Sequence, residues 1–192
     1  MKIVKYPDPI LNKLAEPVET IDDNLAKIVA EMFKAMYAGN GVGLAAPQVG
    51  ISKRFFIVNI DPHEQSPEKL AQNEYVFINP ILTNFEGEQE YEEGCLSIPG
   101  VNAKVKRAQK VTITAQNLVN ETFTLELDGF FAEVVQHEND HLDGILFIQK
   151  VSPTEQIAIK PQLNALRQKY QKEKRKKAKA SAKKAKKRKI KR

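Results

Sequence analysis

The segment Gly129 to Gly144, GFFAEVVQHENDHLDG, restricts the fold more than any other part of the chain. Asp128 offers an acceptor to the free N–H groups of a first turn, the interior has no proline or glycine, and Gly144 is a stop signal. The stretch is therefore predicted to be a helix. His137 and His141 are four residues apart, so their imidazoles leave one face a turn apart and can grip a single metal ion. Glu138 lies about 100° around the helix from His137, near enough to take the proton of an attacking water. Phe130, Val134, Leu142 and Ile145 fall on or beside the histidine face, which must point inward. A core has to be built around this helix, and the pattern reads as the metal helix of a hydrolase.

HExxH also recurs by chance in ordinary cores, so a third ligand must come from elsewhere in the chain. His63 lies in DPHEQSPEK, a polar, proline-containing stretch that reads as an exposed loop. Cys95, the single cysteine, is the better candidate. A lone cysteine cannot close an internal disulfide, which suits a reducing compartment and leaves the thiol free to bind metal. No apolar run approaches the length of a membrane span, and MKIVKYPDPIL lacks a signal-peptide core, so a cytoplasmic location is expected. At 192 residues and 42% hydrophobic content the chain fits one domain with a sizeable core.

Charge is unevenly spread. Residues 172–192 hold 14 of the 30 basic residues and one of the 24 acidic ones, a net +13, which leaves −7 on residues 1–171. Beyond Gln171 the chain loses nearly every apolar residue, so 172–192 reads as a flexible, solvated basic tail on an acidic body.

Tyr6-Pro7-Asp8-Pro9 is turn chemistry in an extended N-terminal arm. Between Thr20 and Ala38, Ile21, Leu25, Ile28, Val29, Met32, Phe33 and Met36 recur with helical period; Thr20 and Asp23 resemble a capping box, and Gly39 ends the run. Gly41 to Gly50, GVGLAAPQVG, is dense in glycine and small residues, which either brings backbone close to something or makes a tight connection. It is not a phosphate loop, because GxxxxGK(S/T) lacks its lysine and hydroxyl and GxGxxG lacks its third glycine. Phe55–Ile60, Tyr75–Ile78 and Ile81–Phe85 read as short strands, the last two flanking Asn79-Pro80. Val111, Ile113 and Ala115, then Phe123, Leu125 and Leu127, alternate with polar residues as an antiparallel hairpin that leads directly into the histidine helix. Ser152-Pro153-Thr154-Glu155 starts another helix, with a kink or restart expected at Pro161 and with Leu163, Leu166 and Tyr170 facing inward.

Two imidazoles and a thiolate leave a fourth position open at a borderline-soft divalent metal, the arrangement of a catalytic site; ligand chemistry alone favours zinc. Two protease patterns fit poorly. HExxHxxGxxH matches through Gly144 but puts Phe147 at its third ligand, and a pattern needing a later glutamate finds only Glu155, which belongs to a cap.

With these residues in hand, the chain resembles the bacterial peptide deformylases. That family is marked by G(I/V)GLAAxQ, EGCLS and HExDH, found here in order as Gly41–Gln48, Glu93–Ser97 and His137–His141, and the resemblance covers roughly residues 3–170. It implies an α+β fold of mixed, mainly antiparallel sheets around a central HExxH-bearing helix, with a C-terminal helix, and hydrolysis of the formyl group from N-formylmethionine on nascent peptides. It further implies Cys95, His137 and His141 as ligands of one divalent metal ion, Fe(II) with Zn, Ni or Co as replacements, and Glu138 as general base. Gln48 and the Leu96 N–H would hold the oxyanion, and Val42, Gly43, Tyr91, Phe130 and Val134 would bind substrate. Glu133 and Asn102 depart from what is familiar in the family, at the pocket and at the peptide-binding edge. The resemblance also points the basic tail at ribosomal RNA near the exit tunnel, with no membrane or DNA partner. Two readings from other classes stand beside it: a zinc endopeptidase, and a nucleic-acid-binding protein with a vestigial metal site.

Overall fold

The computed structural model describes residues 1–190, so Lys191 and Arg192 of the expected tail lie outside the described residues. In chain order the elements are α1 (Asp23–Ala38), β1 (Gly43–Ala45), β2 (Phe55–Val58), α2 (Pro67–Gln72), β3 (Tyr75–Glu86), β4 (Gln89–Cys95), β5 (Ile98–Arg107), β6 (Lys110–Gln116), β7 (Thr122–Asp128), α3 (Gly129–Leu142) and α4 (Pro153–Ile190). Five strands form one sheet in the order β1-β2-β3-β6-β7, and β4 and β5 form a second. All pairings between these strands are antiparallel, and an isolated bridge between Glu16 and Lys53 is parallel. The architecture is α+β.

Strand β2 shows why the larger sheet carries helices on both faces. All four of its residues are buried, and successive side chains of a strand point to opposite sides. Phe55 and Ile57 accordingly join Leu25, Val29, Met32 and Met36 of α1, whereas Phe56 and Val58 join Val134, Val135 and Leu142 of α3. A third cluster lies under the small sheet, where Val101, Ala103 and Val105 of β5 meet Leu11, Phe147 and Ile159. Leu163 and Leu166 pack against it as expected, and Tyr170 donates its hydroxyl to Asp8 at 3.1 Å. Among the described residues no helix is long and apolar enough to cross a membrane.

The β6–β7 hairpin pairs from Lys110 opposite Asp128 to Gln116 opposite Thr122 and runs straight into α3. Asp128 occupies the N-cap, but its carboxylate caps no N–H; it lies 3.7 Å from Lys110 across the hairpin. At the other end the helix closes on a Schellman motif: Gly144 N–H bonds His141 C=O at 3.3 Å and Ile145 N–H bonds Asp140 C=O at 2.9 Å. Gly144 sits at φ 71°, and a Cβ there would stand 2.7 Å from the carbonyl carbon of Asn12, so only glycine lets the N-terminal segment lie against the helix end.

Several boundaries differ from those expected. The cap of α1 is Asp22, whose carboxylate accepts from Leu25 N–H at 2.8 Å, not Thr20. The strands flanking Asn79-Pro80 are one strand, β3, with an irregularity between Ile78 and Ile81. Proline cannot donate to a ladder and is tolerated at such a bulge, while the Asn79 side chain pairs with both backbone groups of Val18, at 2.8 and 2.9 Å. The polar stretch after His63 contains α2, capped by Ser66. Helix α4 does not restart at Pro161; the carbonyl that loses its donor belongs to Ile157, 75% exposed, where water can satisfy it. It continues as helix through the basic segment to Ile190.

Candidate active site

Two elements bring the three nominated ligands together. Cys95 is the last residue of β4, at a register shift that follows Gly94, and His137 and His141 project from α3. Their donor atoms lie within 4.8 Å of one another, with Cys95 Sγ 3.4 Å from His141 Nε2. The sulfur accepts hydrogen bonds from Ser97 N–H at 3.4 Å and Gln48 Nε2 at 3.3 Å, which fix its position beside the histidines.

The other end of His137 is also fixed. Its Nδ1 lies 2.7 Å from Glu93 Oε2, leaving Nε2 for the site, the usual way an outer carboxylate orients a ligating imidazole. Burial drives His141 well below the usual imidazole range, so it is neutral and offers a lone pair. Burial opposes charge on His137 as well, but hydrogen bonds to Cys95 and Glu93 outweigh it and raise that group, whose proton a bound cation would displace. A soft thiolate and two converging imidazoles, pre-oriented from behind, fit one divalent metal ion.

Behind the ligands runs an ionic network. Arg107 of β5 donates Nε and Nη2 to the two oxygens of Glu93, at 2.6 and 2.9 Å, and Nη1 to Asp140 at 2.5 Å, while Lys150 reaches Asp140 at 2.7 Å. Burial pushes the Glu93 carboxyl up, yet the hydrogen bonds from His137 and Arg107 prevail and hold it at about 2. Glu93 and Asp140 were legible only as letters of the EGCLS and HExDH motifs, and Arg107 carried no sequence signal of this role. Their pairing joins residues 14 and 33 positions apart in the chain.

Over the ligands lies a cavity of about 380 Å³, lined by Val42, Gly43, Gln48, Cys95, Leu96, Phe130, Glu133, Val134, His137 and Glu138 among others. Nine of the eleven nominated residues share its wall; His141 lies behind it, 1% exposed. Tyr91 is half-buried on β4 outside the lining and donates its hydroxyl to Gln89 at 3.1 Å. Asn102 stands opposite Gly94 in the β4–β5 ladder.

The glycine-rich segment folds into β1 and a 3-10 turn that present Gly43 and Gln48 to α3. A Cβ on Gly43 would stand 2.5 Å from Glu138 Oε1, so glycine is what allows the strand to approach the acid. Glu138 Oε2 is buried and has no partner among the described residues, and burial pushes this carboxyl up to about 7. Gln48 is oriented by Ala45 N–H, which donates to its Oε1 at 2.7 Å. An N–H can pair only with the amide oxygen, so the NH₂ end must face Cys95 and the cavity. The site thus combines a carboxylate able to move a proton, an aimed N–H donor and a three-ligand cluster, the equipment for hydrolysing a carbonyl compound.

Known proteins share this arrangement's sequence and fold. A family model for polypeptide deformylase matches residues 1–157. Peptide deformylase of Acidobacterium capsulatum is 48% identical over 150 residues, 78% of this chain and 85% of that protein. That of Neisseria gonorrhoeae is 44% identical over 170 residues, 88% of this chain and 97% of the relative. Among solved structures, peptide deformylase from Plasmodium falciparum superposes with a TM-score of 0.84 at 41% identity, covering 88% of this chain and 97% of its own. A peptide deformylase from Legionella pneumophila gives 0.78 at 39% identity over 87% and 95%. With all three motifs folded into one cavity and relatives matched along most of their length, this chain belongs to the polypeptide deformylase family.

Proposed function

We propose that the chain hydrolyses the formamide of N-formylmethionine at the start of newly made polypeptides, releasing formate and a free amine. The observation that carries the reading is the convergence of Cys95, His137 and His141 beneath a cavity that also holds Glu138 and the amide end of Gln48. Cys95, His137 and His141 would hold one divalent ion, Fe(II) with Zn, Ni or Co as substitutes. When bound, it supplies Lewis-acid polarisation and a more acidic water. Glu138, whose carboxyl burial raises toward neutrality, takes the water's proton and returns it to the leaving amine. The Gln48 amide and the Leu96 N–H stabilise the charge that develops on the formyl oxygen. Val42, Phe130 and Val134 give the cavity its apolar wall for the methionine side chain, and Gly43 offers backbone to the extended peptide.

Residues 1–171 are read as the catalytic body. The segment 172–192, with its net +13, is read as the part that docks on ribosomal RNA, and the single cysteine supports a cytoplasmic location. The test is formate release from a short formylmethionyl peptide by the metal-loaded chain. Stoichiometric formate and free amine support the reading, whereas cleavage of an internal peptide bond without formate would turn it toward an endopeptidase.

A further inference from the structure

The N-terminal arm is fastened to both residues assigned above to the oxyanion. Val4 N–H donates to the Gln48 carbonyl at 2.7 Å, and Tyr6 N–H donates to the Ser97 carbonyl at 2.9 Å. Between them, Lys5 donates its ammonium to the Leu96 carbonyl at 2.5 Å, a contact across 91 residues of chain. The arm has an anchor of its own. Tyr6 is buried in the apolar cluster shared with β5 and the start of α4, and the Arg167 guanidinium stands 5.4 Å from its ring centre. Two residues on, Asp8 accepts from Ile10 N–H at 3.2 Å and from the Tyr170 hydroxyl.

Of the three contacts, only that of Lys5 depends on residue type. The backbone N–H groups of Val4 and Tyr6 would donate with almost any side chain attached, whereas the Leu96 carbonyl is reached by an ammonium. Lys5 is exposed and forms no ion pair with a carboxylate among the described residues, so its charge is directed at a neutral carbonyl. Such a charge-assisted hydrogen bond is shorter and stronger than a neutral one. Leu96 lies in the turn between Cys95 and Ile98, at the register shift of the β4–β5 ladder. One φ,ψ pair separates its carbonyl from its own N–H, so fixing the first narrows the directions open to the second. A donor that stabilises developing charge has to be aimed before the reaction begins, because reorganisation during it would cancel the benefit.

We propose that Lys5 is a positioning residue for the hydrolysis: by holding the Leu96 carbonyl it keeps the Leu96 N–H aimed at the formyl oxygen. Like the role of Leu96 itself, this rests on the deformylase reading above. Lys5 does not line the cavity and bonds no metal ligand among the described residues, so its loss acts on turnover and not on capture of substrate or metal.

The test uses the full-length, metal-loaded chain with a short formylmethionyl peptide, and the variants Lys5→Met, Lys5→Arg and Lys2→Met. Lys2 is an exposed lysine of the same arm and controls for charge alone. Lys5→Met should lower kcat and kcat/KM equally, by roughly tenfold, less than the roughly 10² to 10³ fold lost when an oxyanion donor is removed outright. KM and bound metal should stay within about twofold of wild type. Lys5→Arg should recover most of the turnover, since a guanidinium can donate to the same carbonyl, and Lys2→Met should match wild type. A kcat for Lys5→Met within about twofold of wild type would overturn the proposal, as would an equal fall in Lys2→Met or an arginine variant no better than the methionine one. A loss carried by KM, by metal content or by the circular dichroism of the fold would also overturn it, because Lys5 would then be a structural contact. Absence of formate release by the wild-type chain would remove the deformylase reading, and this inference with it.

Discussion

Replacing Arg107 with methionine probes the network that holds the site from behind. The substitution keeps an unbranched side chain of similar length and removes the charge, so packing changes little while two buried carboxylates lose their shared partner. Asp140 retains Lys150, but Glu93 keeps only His137. The carboxyl of Glu93 is held at about 2 against an ordinary 4.5, which at 1.36 kcal/mol per pH unit corresponds to about 3 kcal/mol of stability. That figure is shared between His137, which remains, and Arg107, and removing one member of a buried pair costs about 3–5 kcal/mol in general, so a loss of about 2–3 kcal/mol is expected. The sign follows from the depressed value: the contribution is complete above pH 4.5 and is lost as pH falls toward 2. In Arg107→Met burial prevails, the Glu93 carboxyl moves up, and acid protonates it without loss. The stability gap is therefore widest near neutral pH and closes on acidification. Urea unfolding followed by circular dichroism, with excess chelator to remove metal linkage, should show the variant's midpoint roughly 1.5–2 M lower at neutral pH. A shift below about 0.5 M, or a gap that stays constant down to pH 4, would refute the assigned role of the network.

Cys95→Ser replaces a soft thiolate with a barely ionised hydroxyl, so bound metal measured after dialysis should fall sharply or change in preference, and native content with full turnover would remove Cys95 from the ligand set. Gly144→Ala forces a side chain into φ 71° and against Asn12, which should cost about 2–3 kcal/mol and lower Tm by roughly 5–10 °C; an unchanged Tm would show that the N-terminal segment gives way freely. Deleting residues 172–192 should leave hydrolysis of a short peptide nearly unchanged but weaken ribosome binding by roughly tenfold or more at moderate salt, and equal affinity across a salt titration would eliminate docking through this segment.

What the sequence made legible follows from the range of the interactions involved. The histidine helix, the β6–β7 hairpin and the apolar face of α1 are written in local periodicity, and the structure has them within a few residues of the expected positions. Strand β5 was missed although Val101, Ala103 and Val105 alternate with polar neighbours, because Pro99-Gly100 marks a turn at its start. Asp128 shows the limit of a propensity rule: it stands at the right position, yet a cross-strand lysine holds its carboxylate away from the helix N–H groups. The grouping of Cys95, His137 and His141 was accessible through residue chemistry and a family resemblance. The Glu93–Arg107–Asp140 pairing was not, because nothing in a single chain tells a buried arginine from a solvated one until the strands are registered.

In the proposed reaction this site hydrolyses formylmethionyl peptides with Glu138 as the proton carrier. Formate release measured alongside bound metal, for the wild-type chain and for Glu138→Gln, tests it most directly. One metal ion per chain is expected in both proteins, with turnover of the variant lower by roughly 10² to 10⁴ fold. Wild-type turnover by a metal-loaded Glu138→Gln protein would contradict it.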